Sequence, residues 1–288
     1  MSARKIIPAA NWGQRAIACC ILAVVTFLIY MVATSPHINW PTIPQYIFDD
    51  TILDGIRLTI LFTILSMVIS IVTGAILATM RLASNPIISG FSSVYIWFFR
   101  GTPLLVQIIF WFNIQLFIPS INIGLFHLDT NDVVTAFVAA LLALSLNEAA
   151  YMAEIIRGGL LAVDNGQNEA AKALGYTPSQ SMLRIIFPQA LRVIIPPIGN
   201  QTISMLKTTS LVSVVAAQDL LTRAQNIYAR NFLIIELLIV ASIWYLVMTT
   251  VASCIQYVIE QRLGQSSTQP PAVWRAAIRL MRAEGGRG

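Results

Sequence analysis

Six runs of this chain are long and apolar enough to cross a lipid bilayer as helices: Ile17–Thr34, Ile56–Thr79, Phe91–Ile118, Val133–Ile156, Val193–Ala217 and Phe232–Ile259. A helix needs roughly 20 mostly apolar residues to cross hydrocarbon. Several of these runs are long enough to tilt or to continue past the bilayer surface. Apolar residues make up 57% of the sequence and charged ones 11%, against roughly a quarter charged in an ordinary soluble domain. Such a chain has too little polar surface to cover a water-soluble globule. The expected fold is an all-α integral membrane protein with six transmembrane helices.

Basic residues set the orientation. With a cytoplasmic N-terminus, six spans bring the C-terminus back to the same side. Arg4, Lys5, Arg15, Arg81, Arg157, Lys172, Arg184, Arg192, Arg262 and the arginines of the tail then face the cytoplasm, and only Arg57, Arg223 and Arg230 lie outside. Cytoplasmic loops carry such an excess, so both termini are expected in the cytoplasm. The outer loops are acidic instead, with Asp49, Asp50, Asp54, Asp129, Asp132 and Asp219. The net charge of +5 thus reflects topology and implies no nucleic acid. A cleaved signal peptide competes for the first span, but Ala33-Thr34-Ser35 is followed by Pro36, a poor residue after a cleavage site. Cys19, Cys20 and Cys254 all fall inside spans without metal-ligand spacing. They read as small apolar packers, and no disulfide is expected.

The chain divides on this reading into residues 1–50, a core over 51–263 and a basic cytoplasmic tail over 264–288. The first part is an N-terminal tail, one span without ionisable residues in the bilayer, and an outer loop. That span is expected to pack peripherally against the core. Pro36, Pro41 and Pro44 with Trp40 and Tyr46 give the outer loop the look of an interfacial anchor. Arg81–Gly90 is a short connection, making the second and third spans an antiparallel pair. In the tail, Arg275, Arg279 and Arg282 share one helical face of Ala272–Ala283, and Trp274, Ile278 and Met281 the other. An interfacial helix and a frayed, solvated tail both fit.

Residues 157–192 differ from the other connections: they are long, polar and punctuated. Asp164 or Asn165 can cap a helix through Ala173, and Gly175 stands where a helix stop is wanted. Thr177 and Pro178 restart a helix as cap and first turn, and Pro188 is expected to break it before the fifth span. Helix, glycine elbow, helix makes an ordered cytoplasmic platform. It holds Asn-Glu-Ala-Ala at Asn168–Ala171, a tetrapeptide that also occurs at Asn147–Ala150 within the fourth span. Glu169 sits in water, where Ala170, Ala171 and Leu174 offer a small apolar stripe to another protein's groove. Glu148 sits at membrane depth, where a carboxylate costs several kcal/mol unless paired, protonated or facing water. The repeat is coincidental.

Arg100 and Lys207 are the other ionisable groups deep in spans. Three costly residues in three spans are most simply explained by one polar cavity, with a helix-locking ion pair as the plainer alternative. Thr102, Gln107, Asn113, Asn147, Asn200 and Gln201 add polar groups at similar depth. Gly101-Thr102-Pro103 and Pro196-Pro197 can break helices, and irregular backbone at depth is tolerated where it is buried in protein or lines a water-filled path. This is transport geometry. The candidate path residues are Arg100, Thr102, Gln107, Asn147, Glu148 and Lys207. Glu236, a few residues inside the sixth span's outer end, is expected to snorkel.

Glu169-Ala170-Ala171, Gly175, Ile185 and Phe187-Pro188, at that spacing, resemble the EAA loop of ABC-importer permeases. Phe187 stands where that pattern has Leu, a conservative departure. The runs "FFRGTPLLVQIIFWF" (Phe98–Phe112) and "AYMAEIIRGGL" (Ala150–Leu160) resemble the polar amino acid branch, the histidine/glutamine permease type. The similarity covers roughly Ile52 to Leu263 and implies a five-helix type I importer core with one N-terminal helix added. Glu148 departs from the small or neutral polar residue of many relatives, which bears on substrate preference. The resemblance implies an importer permease for polar or charged amino acids in the bacterial cytoplasmic (inner) membrane. Its partners would be an identical or sister permease, two ABC ATPase subunits and an extracytoplasmic solute-binding protein, with membrane lipid around it. Glu169, Ala170, Ala171, Leu174, Gly175 and Pro188 would couple it to the ATPase, which would hold ATP and magnesium. The permease itself would be no enzyme and carry no cofactor. In agreement, the sequence has no G-x-x-x-x-G-K-[ST] phosphate loop and no outer segment large enough to be a binding domain. An ion-coupled secondary amino acid transporter is the alternative; it would usually have two repeated halves, which are not seen. A non-transporting scaffold has no need of Arg100, Glu148 and Lys207 at depth.

Overall fold

A computed structural model of the chain describes residues 12–123 and 126–263; the amphipathic pattern at Ala272–Ala283 lies outside them. The elements are α1 (Trp12–Ala33), α2 (Ile43–Ile47), α3 (Asp50–Arg81), α4 (Pro86–Gly101), α5 (Leu104–Phe112), β1 (Ser120–Ile123), β2 (Phe126–Asp129), α6 (Thr130–Val133), α7 (Ala136–Leu161), α8 (Asn165–Ala173), α9 (Pro178–Ser181), α10 (Phe187–Thr208), α11 (Leu220–Asn231) and α12 (Ile234–Arg262). Among the described residues, five helices are long and apolar enough to cross a membrane, and α4 with α5 makes a sixth span if that pair is taken as one.

That pair is the expected third span, Phe91–Ile118, broken where Gly101-Thr102-Pro103 allows a break. α4 and α5 meet at 101°. The cause is local: Thr102, just before Pro103, lies extended at φ −112° and ψ 142°, as the proline ring demands of its predecessor. α5 has nine residues, about 14 Å of helix, and cannot cross alone. Beyond it lies an antiparallel hairpin pairing Ser120 with Asp129 and Ile123 with Phe126, which holds the only strands among the described residues.

α3 and α7 form the heart of the bundle. Gly74 lies so close to Met152 and Ala153 that no Cβ would fit, and α7 contributes Ala139, Ala140, Ala143, Ala149, Ala150 and Ala153, all fully buried. In lipid, close backbone approach at small residues takes over from the hydrophobic drive of soluble cores. Ser70 Oγ donates to Ser145 O across this contact at 3.0 Å, and Ser92 Oγ fastens α4 to Leu77 O of α3 at 2.8 Å.

The helix break expected at Pro188 does not occur, nor does one at Pro196-Pro197, which could have interrupted the span. Pro188 lies in a run that stays helical from Pro178 to Val215. A π turn, Met182–Ile186, precedes it, and Phe187 N–H bonds Met182 O. The extra residue in that turn accommodates the amide hydrogen that Pro188 lacks. Pro196 and Pro197 sit inside α10. There Gln256 of α12 donates to Pro196 O at 3.1 Å, and Gly199 leaves the space that the Gln256 side chain fills. A neighbouring helix thus supports the proline-weakened segment, as membrane bundles permit.

The outer loop docks on the protein and is more than an interfacial anchor. Ile43 is buried, Trp244 Nε1 donates to Ile47 O at 2.8 Å, and Asn231 Nδ2 donates to the Tyr46 hydroxyl at 3.0 Å. Glu236 does not snorkel. It is 4% exposed and accepts the Asn39 N–H at 2.7 Å, pinning the loop to the start of α12. α1 also departs from expectation: none of Ala16–Ala33 is buried, so it stands clear of the core within this chain.

Candidate substrate path and coupling surface

The platform at one end of α10 is built from local signals. Asp164 Oδ1 accepts Gly166 N–H at the start of α8. At its end Gly175 takes φ +79°, while Tyr176 N–H bonds Ala171 O and Gly175 N–H bonds Lys172 O. This is a Schellman stop, which glycine adopts without strain. Thr177 and Gln180 then form a reciprocal capping box under Pro178, satisfying two orphan donors. Ser181 Oγ to Asn168 Oδ1 and Gln189 Nε2 to Gln167 Oε1, both 3.1 Å, tie α8 to the long helix. Glu169, Ala170, Gly175 and Pro188 are exposed, and Leu174 is 75% exposed. Ala171 is turned inward, so it seats α8 on its own chain and does not join the outer stripe.

The deep polar residues separate into two groups. Gln107, Asn147 and Thr102 gather at the α4–α5 break. Gln107 Nε2 donates to Phe99 O, Thr102 O and Thr102 Oγ1 at 3.1, 3.2 and 2.7 Å. Asn147 Nδ2 donates to Phe99 O at 2.8 Å and to Gln107 Oε1 at 3.2 Å. Carbonyls freed by the broken helix are satisfied this way, as buried backbone requires.

In the second group Arg100 lines an open cleft of about 490 Å³ with Tyr151, Glu154, Ile155, Pro197, Asn200 and Gln201, whereas Glu148 is not a lining residue and reaches the cleft only through Gln201. The guanidinium of Arg100 lies 5.1 Å over the Tyr151 ring, a cation–π arrangement. Glu148, 8% exposed, accepts from Gln201 Nε2 at 2.9 Å. Glu154 is taken by Arg157 at 2.7 Å. Arg100, Glu148 and Lys207 make no ion pair with one another, so the helix-locking pair is not what this chain contains. Lys207, exposed in the last turn of α10, is not among the residues lining the cleft. Tyr151 and Glu154 line the cleft although the sequence did not single them out; each lies three residues, about one turn, beyond the one before, starting from Glu148.

Comparison with known proteins places this geometry. The family model described as "Binding-protein-dependent transport system inner membrane component" matches residues 70–265. The arginine transport system permease protein ArgU of Corynebacterium glutamicum is 41% identical over 280 residues, covering 96% of this chain and 88% of that protein. The L-cystine transport system permease protein TcyB of Bacillus subtilis is 38% identical, covering 79% and 92%. The glutamate/aspartate import permease protein GltK of Escherichia coli O6:H1 is 36% identical, covering 73% and 92%. Among solved structures, an amino acid ABC transporter crystallised with histidines superposes at TM-score 0.68 with 36% identity, over 78% of this chain and 99% of that one. Sharing the fold at 17% identity and TM-score 0.60 is the methionine transporter MetNI in an inward-facing conformation. The chain belongs to the family of binding-protein-dependent transport system inner membrane components.

Proposed function

We propose that this chain is the membrane-spanning subunit through which an ATP-driven importer passes polar or charged amino acids. The observation that carries the reading is the cleft between α4, α7 and α10, lined by Arg100, whose guanidinium has no carboxylate partner among the described residues, and by Gln201, behind which the buried carboxylate of Glu148 is hydrogen-bonded. An amino acid in passage needs groups of both signs. The planar guanidinium suits the carboxylate, and Glu148 suits the amino group or a cationic side chain. Arg100 takes the first role in preference to Lys207 because it lines the cleft. The relatives' names, which include arginine, cystine and glutamate/aspartate transport, support this substrate class.

The α8 end of α10 faces the cytoplasm and the α11 end faces outward, with both termini inside. Glu169, Ala170, Leu174 and Gly175 dock on one of two ATPase subunits, which hold ATP and magnesium. A second permease, identical or a sister chain, completes the pathway in the bacterial inner membrane, and an extracytoplasmic binding protein delivers substrate. Nucleotide on the ATPase then shifts the population between outward- and inward-open states. The test is uptake of labelled arginine, glutamine and glutamate into proteoliposomes holding the permease with its ATPase. Uptake should need both ATP and binding protein. Uptake driven by a proton or sodium gradient without nucleotide would overturn the proposal.

A further inference from the structure

Arg223 and Arg230 are seven residues apart on α11, two helical turns, so both project from one face. That face walls a cavity of about 480 Å³ whose opposite wall is Tyr46, Asp49 and Thr51, from the docked outer loop and the start of α3. Among the described residues neither arginine has an ion-pair partner. Arg57, the remaining arginine at this end of the molecule, pairs with Asp54 at 2.8 Å. Asp49 Oδ1 is taken by Thr51 N–H at 2.8 Å. The Nε of Arg223 is buried and has no hydrogen-bond acceptor among the described residues, a costly state for a charged donor. The arginine is also held in place: a Cβ at Gly55 would lie 3.1 Å from Arg223 Cγ and 2.8 Å from Leu220 Cα. α3 thus leaves room for the side chain and fixes its course.

We propose that this cavity receives an acidic side chain of the extracytoplasmic binding protein, bound to Arg223 as a fork and steered by Arg230 at the rim. The proposal rests on the importer reading above. Chemistry and placement favour a protein carboxylate. The backbone positions of the two arginines are about 10 Å apart along the helix, so one stands deeper in the cavity wall than the other. Asp49, beside the arginines, and the neighbouring Asp50 and Asp54 oppose a dianion or an anionic lipid surface. A folded partner can present a single carboxylate there while keeping its other charges away. Tyr46, Asp49 and Thr51 complete the socket, which makes the docked outer loop a specificity-determining wall in the choice of binding protein.

The experiment uses the full permease–ATPase complex in nanodiscs, with ATPase rate measured against concentration of the cognate binding protein. Arg223→Gln with Arg230→Gln should raise the half-saturating concentration about tenfold or more, as loss of a buried charge-paired contact does. Basal rate and the stimulated rate at saturation should stay unchanged. Arg230→Gln alone, at an exposed position, should move the midpoint in the same direction by less and steepen no other property. Arg57→Gln should leave it in place. An unmoved midpoint in the double variant, or an equal shift with Arg57→Gln, would overturn the proposal. So would a response to the double variant that appears only when phosphatidylglycerol replaces phosphatidylcholine, since the occupant would then be a lipid phosphate. If the binding protein fails to stimulate even the wild-type complex, the importer reading has failed instead.

Discussion

Glu148 is held in the bundle by a neutral donor, Gln201, with no cation beside it. On the proposed reading, a cationic substrate group would satisfy its remaining acceptor capacity. Glu148→Gln keeps the side chain's size, so inserted protein should be obtained at wild-type level. ATP-dependent uptake of arginine or lysine should fall about tenfold or more, and glutamine uptake by far less. Equal losses would give Glu148 a purely structural part. Asp219 poses a different question at the same scale. It is fully buried and caps α11, its Oδ1 accepting Thr222 N–H and its Oδ2 accepting both Leu221 N–H and the Tyr245 hydroxyl, the latter at 3.2 Å. Burial pushes its carboxyl above the usual carboxylate range, and the hydrogen bonds from Thr222, Leu221 and Tyr245 pull it back only in part. A raised folded value means that the stability it contributes is fully present below the unfolded value, about 3.9, and is lost as pH rises through the folded one. Asp219→Asn keeps an acceptor for the cap and removes the titration, so its melting temperature relative to wild type should improve from pH 4 to pH 8. Asp219→Ala loses the cap and should cost about 1–2 kcal/mol at either pH. The expense of Glu148 and Arg100 at depth was legible in the sequence. Their partners were not, because which side chains meet depends on how each helix is rotated about its axis.

At the scale of elements, α8 and its elbow were legible almost residue by residue, since caps and glycine stops are short-range chemistry. Gly175→Pro removes a left-handed residue and the N–H that closes on Lys172 O. That variant, and Glu169→Lys on the exposed face, should insert normally yet show ATP hydrolysis without matching uptake. Wild-type transport by either would remove α8 from the docking role. The α4–α5 corner was only half legible. Thr102-Pro103 announced a break, but its angle depends on Gln107 and Asn147 reaching it across sequence distance. Gln107→Leu leaves the Phe99 and Thr102 carbonyls with fewer donors and should cost about 1–3 kcal/mol, read as a lower midpoint in detergent thermal melts. Pro188, Pro196 and Pro197 misled for the opposite reason. A proline's missing N–H is visible in sequence, whereas the π turn before Pro188 and the Gln256 contact beside Pro196 emerge only in the folded structure.

The whole molecule is a bundle with two appendages of unlike attachment. α1 leaves Ala16–Ala33 unburied, so deleting residues 1–34 should not shift the core's melting midpoint or its substrate choice, although membrane insertion should drop. Extending the deletion through Ile47 removes the segment pinned by Glu236, Trp244 and Asn231 and should lower that midpoint. Identical melts for the two truncations would show that the docked segment contributes nothing to stability. Composition and charge bias were enough to expect a membrane bundle with its platform on one side; the docking of the outer segment was hidden because its bonds join residues nearly two hundred positions apart. One more property belongs to the assembly as a whole. The π turn at Met182–Ile186 adds one residue between platform and bundle, which offsets their angular phase by about 100°. α8 is tethered on both sides of that turn, through Ser181 and through Gln189. Removing one residue from the turn would restore a regular helix with every span still in place, but the two tethers could not both close. The platform would then be aimed at the wrong azimuth, a defect of bearing that no substitution on α8's own surface could correct.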